Sequence, residues 1–251
     1  MARRHYKSSV AKKVQLDLNV LLEHINTTSG LMLGDLQTGG FYGVLCPDLN
    51  LALIPKTDPY GLGTYMPDIR NVSIVGTIID WIKVEIWGNV NFTTMTYNLL
   101  EEQALLLRPD GTVINTELQS PQFNMAGDVY IVVRHRSHLA IMSSGSVNLS
   151  GDAEYKFDHL SKVLNLTNNP YGQLRLRGTK YVMWSGDLNQ DGLIDQDDID
   201  IYDICIQYYT SCNYSVCDVT RDLLINIQDG TYILQNIKYN LESSTNFFTQ
   251  L

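Results

Sequence analysis

From Val14 onward, apolar and polar residues alternate. Val14, Leu16, Leu18, Val20 and Leu22 take one side, and Gln15, Asp17 and Asn19 the other. A period of two marks a strand with one face against a core. Comparable runs predict strands over 81–87, 103–107, 112–115, 129–135, 140–142, 153–157 and 174–184. Pro109, Asp110 and Gly111 form a turn that joins two of these runs as a hairpin, and Ala126, Gly127 and Asp128 mark another reversal. Short strands with frequent turns predict a mainly β body, a β-sandwich over 14–183. Residues 31–65 carry glycines and prolines without a period and read as long loops with at most one short strand.

After residue 184 the period changes. Ile199, Tyr202 and Ile206 fall on one side of a helical stretch, with acids elsewhere and in its first turn, where they suit the helix dipole. A second helical stretch over 228–239 repeats the idea with Ile233, Leu234 and Ile237. Two such helices can pack their apolar sides into a small core. The chain therefore divides into a basic arm (1–13), the β body (14–183), a small α-helical unit (184–240) and a tail (241–251). The tail ends near Phe247 and Phe248, whose exposure at a terminus would favour docking on a neighbour.

Each helical stretch is preceded by a twelve-residue polar loop. In the first, Asp187, Asn189, Asp191, Asp195 and Asp198 occupy positions 1, 3, 5, 9 and 12. Calcium takes six to eight hard oxygen ligands, and loops of this EF-hand type wrap them round one ion. Gly192 at position 6 permits the sharp turn, Leu193 at position 7 would lend its carbonyl, and Ile194 would point inward. The second loop lies 31 residues on, with Asp218, Thr220, Asp222, Asn226 and Asp229 at the same positions, Leu224 at position 7 and Ile225 repeating Ile194. Its position 6 is Leu223, which must strain into the left-handed region or reshape the loop, at roughly 1 kcal/mol or more. Two calcium sites are expected, the first stronger. A bound cation would also relieve the mutual repulsion of the carboxylates.

The tandem loops over 184–238 resemble a dockerin, whose repeat reads D-x-N-x-D-G-x-I-N-x-x-D. Asp198 and Asp229 follow the dockerin habit of ending in aspartate. The resemblance implies a dockerin-like calcium module and a cohesin-type partner. The β body carries further blocks. Residues 79–86 resemble a V-D-W-V-L-V-E-L strand, 105–113 the hairpin that follows it, and 127–143 a G-x-Y-Y-V-V-V-R-H-R-N-H-L-x-x-M-S block. With the first loop, these resemble secreted surface proteins of Bacteroidetes-type bacteria, often labelled hemagglutinin-like and exported by type IX secretion. That resemblance implies an immunoglobulin-like region beside a dockerin-like module, at the cell surface.

The net charge of −9 is concentrated: between Asp187 and Asp229 stand ten aspartates against one arginine, Arg221. Such a chain lacks the basic surface that nucleic-acid binding needs. The amino terminus is basic, with no apolar run after it, and no stretch of about eighteen apolar residues could span a membrane. Cys205, Cys212 and Cys217 cluster near the loops, while Cys46 is remote. A bridge between Cys212 and Cys217, or between Cys205 and either, is sterically reasonable, and at least one disulfide implies an oxidising, extracellular compartment. Zinc is disfavoured, since no C-x-x-C spacing appears.

The densest basic cluster is Arg134, His135, Arg136, Ser137 and His138. On a continuous strand Arg134, Arg136 and His138 would share a face able to meet an acidic sugar, a carboxylate or another subunit, while His135 would point away. Alternatively, the arginines pair with local acids. No catalytic set emerges: Glu101 and Glu102 diverge, and no serine or cysteine sits in a nucleophile frame. The expectation is a non-enzymatic, calcium-stabilised structural or adhesive protein. It would be a fibre-type subunit, assembling as a homo-oligomer or polymer through its termini. The alternatives are attachment through a cohesin-like protein with glycan binding by the sandwich, and an unrecognised hydrolase.

Overall fold

The computed structural model describes residues 13–37, 53–208 and 214–248. In chain order the first strands are β1 (Val14–Asn19), β2 (Asp80–Asn91), β3 (Thr96–Leu107), β4 (Val113–Ile114) and β5 (Gln122–Phe123). They are followed by β6 (Asp128–His135), β7 (His138–Met142), β8 (Val147–Asn148), β9 (Ala153–Lys156), β10 (Leu174–Arg177) and β11 (Lys180–Met183). The large sheet runs β4-β3-β2-β6-β7, with β8 also on β6, and its pairings are antiparallel. β1 lies between β5, antiparallel, and β9, parallel.

The two layers share one core. The inward residues of β1, Val14, Leu16 and Leu18, pack with Ile82, Val84 and Ile86 of β2 and Ile131 and Val133 of β6. The opposite face of β2 and β3 is covered as well. There Trp81, Ala104 and Leu106 meet Leu36, Ile54, Ile69 and Ile78 from the long loops, which also hold the single-turn helix α1 (Val72–Val75). The loops expected over 31–65 carry only isolated bridges among their described residues, such as Thr57 to Tyr65.

Two strand boundaries differ from the pattern. The β2–β3 hairpin extends well beyond 87 and 103, because Gly88 and Asn89 are absorbed in an irregular pairing and do not turn the chain. A Cβ on Gly88 would stand 2.6 Å from Leu100 Cδ1, so any larger residue here would have to displace that side chain. The run 174–184 is two strands, folded back at Gly178 with φ +58.

Helices α2 (Gln196–Tyr208) and α3 (Ile227–Ile237) follow the two loops. Their core joins Leu188, Tyr202, Val219, Ile225 and Ile233. Leu234 is exposed, since Ile233 takes the inward position. Cys205 is bonded to Cys217, which excludes the Cys212–Cys217 bridge; Cys212 lies outside the described residues, as do Cys46 and 1–12 of the basic arm.

The helical unit is built into the β body. Glu23, wholly buried, follows β1 and accepts from Arg177 Nε at 2.8 Å, Ser185 Oγ at 2.8 Å and Asn236 Nδ2 of α3 at 2.8 Å, with Arg175 Nη1 2.7 Å away. Residues 241–245 do similar work on the other side. Ser243 N donates to Gly192 O at 2.7 Å, Leu193 bridges Glu242, and Ser243 Oγ donates to Ala140 O at 2.5 Å. The first part of the tail, expected as a docking end, is therefore internal structure; the side chains of Phe247 and Phe248 fall outside the described residues.

Candidate metal centres

The loops repeat one backbone design. Position 4 is left-handed in both (Gln190, φ 62; Arg221, φ 62), and so is position 6 (Gly192, φ 82; Leu223, φ 73). Leu223 thus accepts the left-handed strain, and its side chain is buried in the core with Leu36 and Trp81. Burying a leucine contributes roughly 1.5–3 kcal/mol, more than the roughly 1–2 kcal/mol strain. Leucine at this position fastens the second loop to the β body. Ile194 and Ile225 point inward as expected.

In the first loop Asp187 and Asp198 are buried, while Asn189 and Asp191 are exposed. Asp198 accepts Leu188 N at 2.7 Å and Asp195 N at 2.9 Å. Asp191 accepts Leu193 N at 2.9 Å and Asn189 Nδ2 at 2.9 Å. Asp187 Oδ1 is buried with no hydrogen-bond partner. Burial, with Asp198 and Asp191 nearby, pushes the Asp187 carboxyl up to about 8, and burial lifts Asp198 to about 6.

The second loop is deeper. Asp218 accepts Asp222 N at 3.1 Å and Leu223 N at 3.0 Å, and Thr220 Oγ1 donates to Asp229 at 3.0 Å. Asn226 caps α3 and forms a reciprocal box with Asp229. Burial lifts Asp218 to about 7 and Asp229 to about 6 and raises Asp222, with Asp35 adding to the last. Two guanidiniums approach this loop. Arg221 is fully buried, donating to Glu23 O at 2.6 Å, and Arg136 donates to Asp218 O at 3.4 Å. Among the described residues no three His, Cys, Asp or Glu side chains form a ready metal cluster; the carboxylates are instead turned to backbone N–H groups. The donor set still fits a hard cation, since it is all oxygen and includes one buried carboxylate oxygen that nothing satisfies.

The basic cluster is divided by the β6–β7 reversal. Alternation stops at His135, so His138 starts the next strand and faces His135, with Nδ1 atoms 2.9 Å apart. His138 is thus not on the Arg134–Arg136 face, and the two histidines meet. Arg134 Nε donates to Glu85 at 2.8 Å and Arg136 Nε to Asp80 at 3.0 Å, so both arginines pair with local acids. Glu23 N donates to His138 Nε2 at 3.2 Å, which places the His138 proton on Nδ1. His135 then accepts at Nδ1 and donates from Nε2 to Asp80 Oδ2 at 3.1 Å. Tyr214 Oη also donates to Asp80, at 2.6 Å. Burial raises the Asp80 carboxyl, but Arg136, His135 and Tyr214 outweigh it and hold it far below the usual range. Asp80, His135 and Ser137 are the residue types of a nucleophilic triad, yet all three are fully buried, so no substrate reaches Ser137 Oγ.

Burial lowers His135 to about 4 and His138 further below its ordinary value, despite Asp80 beside the first. Both folded values lie under the unfolded one near 6.5, so their contribution is complete above pH 6.5 and is lost as pH falls towards 4. At pH 5.5 each should cost about 1 kcal/mol of stability. Ring-nitrogen NMR at that pH should show both neutral, with His138 protonated at Nδ1 and His135 at Nε2; an imidazolium signal from either would contradict the network.

Sequence spacing singles out the oxygen-bearing residues of the loops but not Glu23, Asp35 or Asp80. Each reaches its partners across a long chain separation and has no local pattern to betray it.

No family model matches the chain, and no curated protein matches it. Solved structures with some likeness include an N-terminal interface mutant of a type II cohesin–X–dockerin complex from Acetivibrio cellulolyticus. That match has a TM-score of 0.37 and 16% identity and covers 65% of this chain and 83% of that one. A C-terminal interface mutant of the same type of complex gives a TM-score of 0.40 and 12% identity over 89% of this chain and 94% of that one.

Proposed function

We propose that this is a non-enzymatic extracellular structural or adhesive surface protein, with an immunoglobulin-like β body and a dockerin-like module stabilised by two calcium ions. The observation that carries the metal reading is the buried, unsatisfied Asp187 Oδ1 within a run of oxygen donors at EF-hand spacing. Asp187, Asn189, Asp191, Asp195, Asp198 and the Leu193 carbonyl would hold the first ion. Asp218, Thr220, Asp222, Asn226, Asp229 and the Leu224 carbonyl would hold the second. The first site is the tighter, because Arg136 and Arg221 crowd the second with positive charge. The Cys205–Cys217 disulfide favours an oxidising compartment.

Within this reading the protein is a self-assembling subunit. The contact with another copy is assigned to the arm at 1–13 and not to 241–245, which are committed internally. The upper half of β3 supplies a receiving edge, since β4 pairs only with Leu106 and Leu107. Titration calorimetry should resolve two calcium sites, and negative-stain images in calcium should show polymers that vanish when 1–13 are deleted. Absence of calcium heat would remove the metal, and unchanged polymers would remove the arm. A second reading, attachment to a cohesin-type partner, is favoured by Ile204, Tyr208, Ile227 and Leu234, which α2 and α3 leave exposed. Capture by an isolated cohesin, with no self-assembly, would select it.

A further inference from the structure

A cleft of about 630 Å³ lies where the helical unit meets the large sheet. Its floor is the outer face of β2 and β6, and its rim includes Gln190 of the first loop and Tyr214 before the second. The cleft thus exists only in the docked arrangement of body and module. Its size is that of a small-ligand site.

The lining combines two chemistries. Tyr60, Trp87 and Tyr214 contribute aromatic surface, against which the apolar face of a sugar ring can lie. Arg134 contributes donors that the protein does not fully use, and Arg136 adds positive charge behind it. Arg134 spends Nε on Glu85, and its two terminal nitrogens have no hydrogen-bond partner among the described residues. Arg136 stacks over Tyr214 at 4.4 Å, spends Nε on Asp80 and Nη2 on Asp218 O, and keeps Nη1 buried; it lends the cleft positive charge beneath Tyr214 and no free donor. A guanidinium with idle terminal N–H groups is a fork matched to a carboxylate. Lys83 neutralises Glu85 at 2.8 Å, so the one acid lining the cleft does not repel an anion.

We propose that this cleft binds an acidic saccharide, its ring carboxylate held by the terminal nitrogens of Arg134 and its ring face by the aromatic wall. This deepens the adhesive part of the proposed function by naming a ligand class, but it does not depend on self-assembly or on the terminal arm.

The test uses the full chain in calcium, titrated calorimetrically with oligomers of galacturonate, glucuronate and mannuronate and with sialyllactose. Neutral galactose oligomers and a triglutamate peptide serve as comparisons. At least one acidic sugar should bind. R134Q should weaken it tenfold or more, W87A should weaken it several-fold, and K156Q, on exposed β9, should leave it unchanged. Circular dichroism and melting of each variant confirm that it folds. The proposal is overturned if no acidic sugar binds, if neutral sugars bind equally, if triglutamate binds as tightly, or if folded R134Q binds like the unaltered chain. Absence of polymers from the unaltered chain, with sugar binding intact, would strike the assembly reading alone.

Discussion

Replacing Glu23 by alanine should lower unfolding stability by roughly 3–5 kcal/mol, measured by urea denaturation in calcium. Glu23 is fully buried, and its two oxygens receive Arg175, Arg177, Ser185 and Asn236. Truncation leaves two largely covered guanidiniums and the Asn236 amide facing one another without their common acceptor. The loss is larger than for a surface ion pair, which is worth at most about 1 kcal/mol. Glu23→Gln keeps one oxygen for Asn236 and Ser185 and should cost distinctly less. Amide exchange should quicken in α3 and in β10 together, since both are tied to the same carboxylate. A loss below about 1 kcal/mol in Glu23→Ala would show that the cluster does not hold body and helices together.

The second large effect is expected from the first loop. Asp187→Ala combined with Asp191→Ala removes two of its donors, one of them the unsatisfied oxygen. A metal at one hundred times its dissociation constant stabilises by about 2.7 kcal/mol, so the double variant should lose about that much in calcium and little in chelator. The unaltered chain should lose the stabilisation of both sites when calcium is removed. Exchange should rise first in α2 and in 241–245, which rest on that loop, while β2 and β6 remain protected. Identical melting with and without chelator would end the metal assignment.

The parts legible in sequence are those whose logic is local. The repeated loop backbone, Ile194 and Ile225, and the strands with clean alternation all depend on near neighbours, and each stands where its pattern places it. The β6–β7 reversal shows where that stops. One turn at 136–137 transfers His138 from the arginine face to a partnership with His135. Leu223 carries a similar lesson. Read alone it is a fault in a metal loop, but beside Leu36 and Trp81 it is an anchor. The apolar run stops before Gly88 and Asn89, and only the pairing with β3 shows that the strand continues through them. The 184–240 boundary divides composition well, yet Glu23, Leu223 and Ser243 each carry contacts across it, the last through Gly192.

The bond from Ser243 to Gly192 has a bearing on timing. A polypeptide is made amino end first, so the first loop leaves the ribosome before the residues that clasp it. Its geometry is completed only when 241–245 arrive and pair beside Leu193. Until then a nascent molecule has its β layers but an open latch over the first loop.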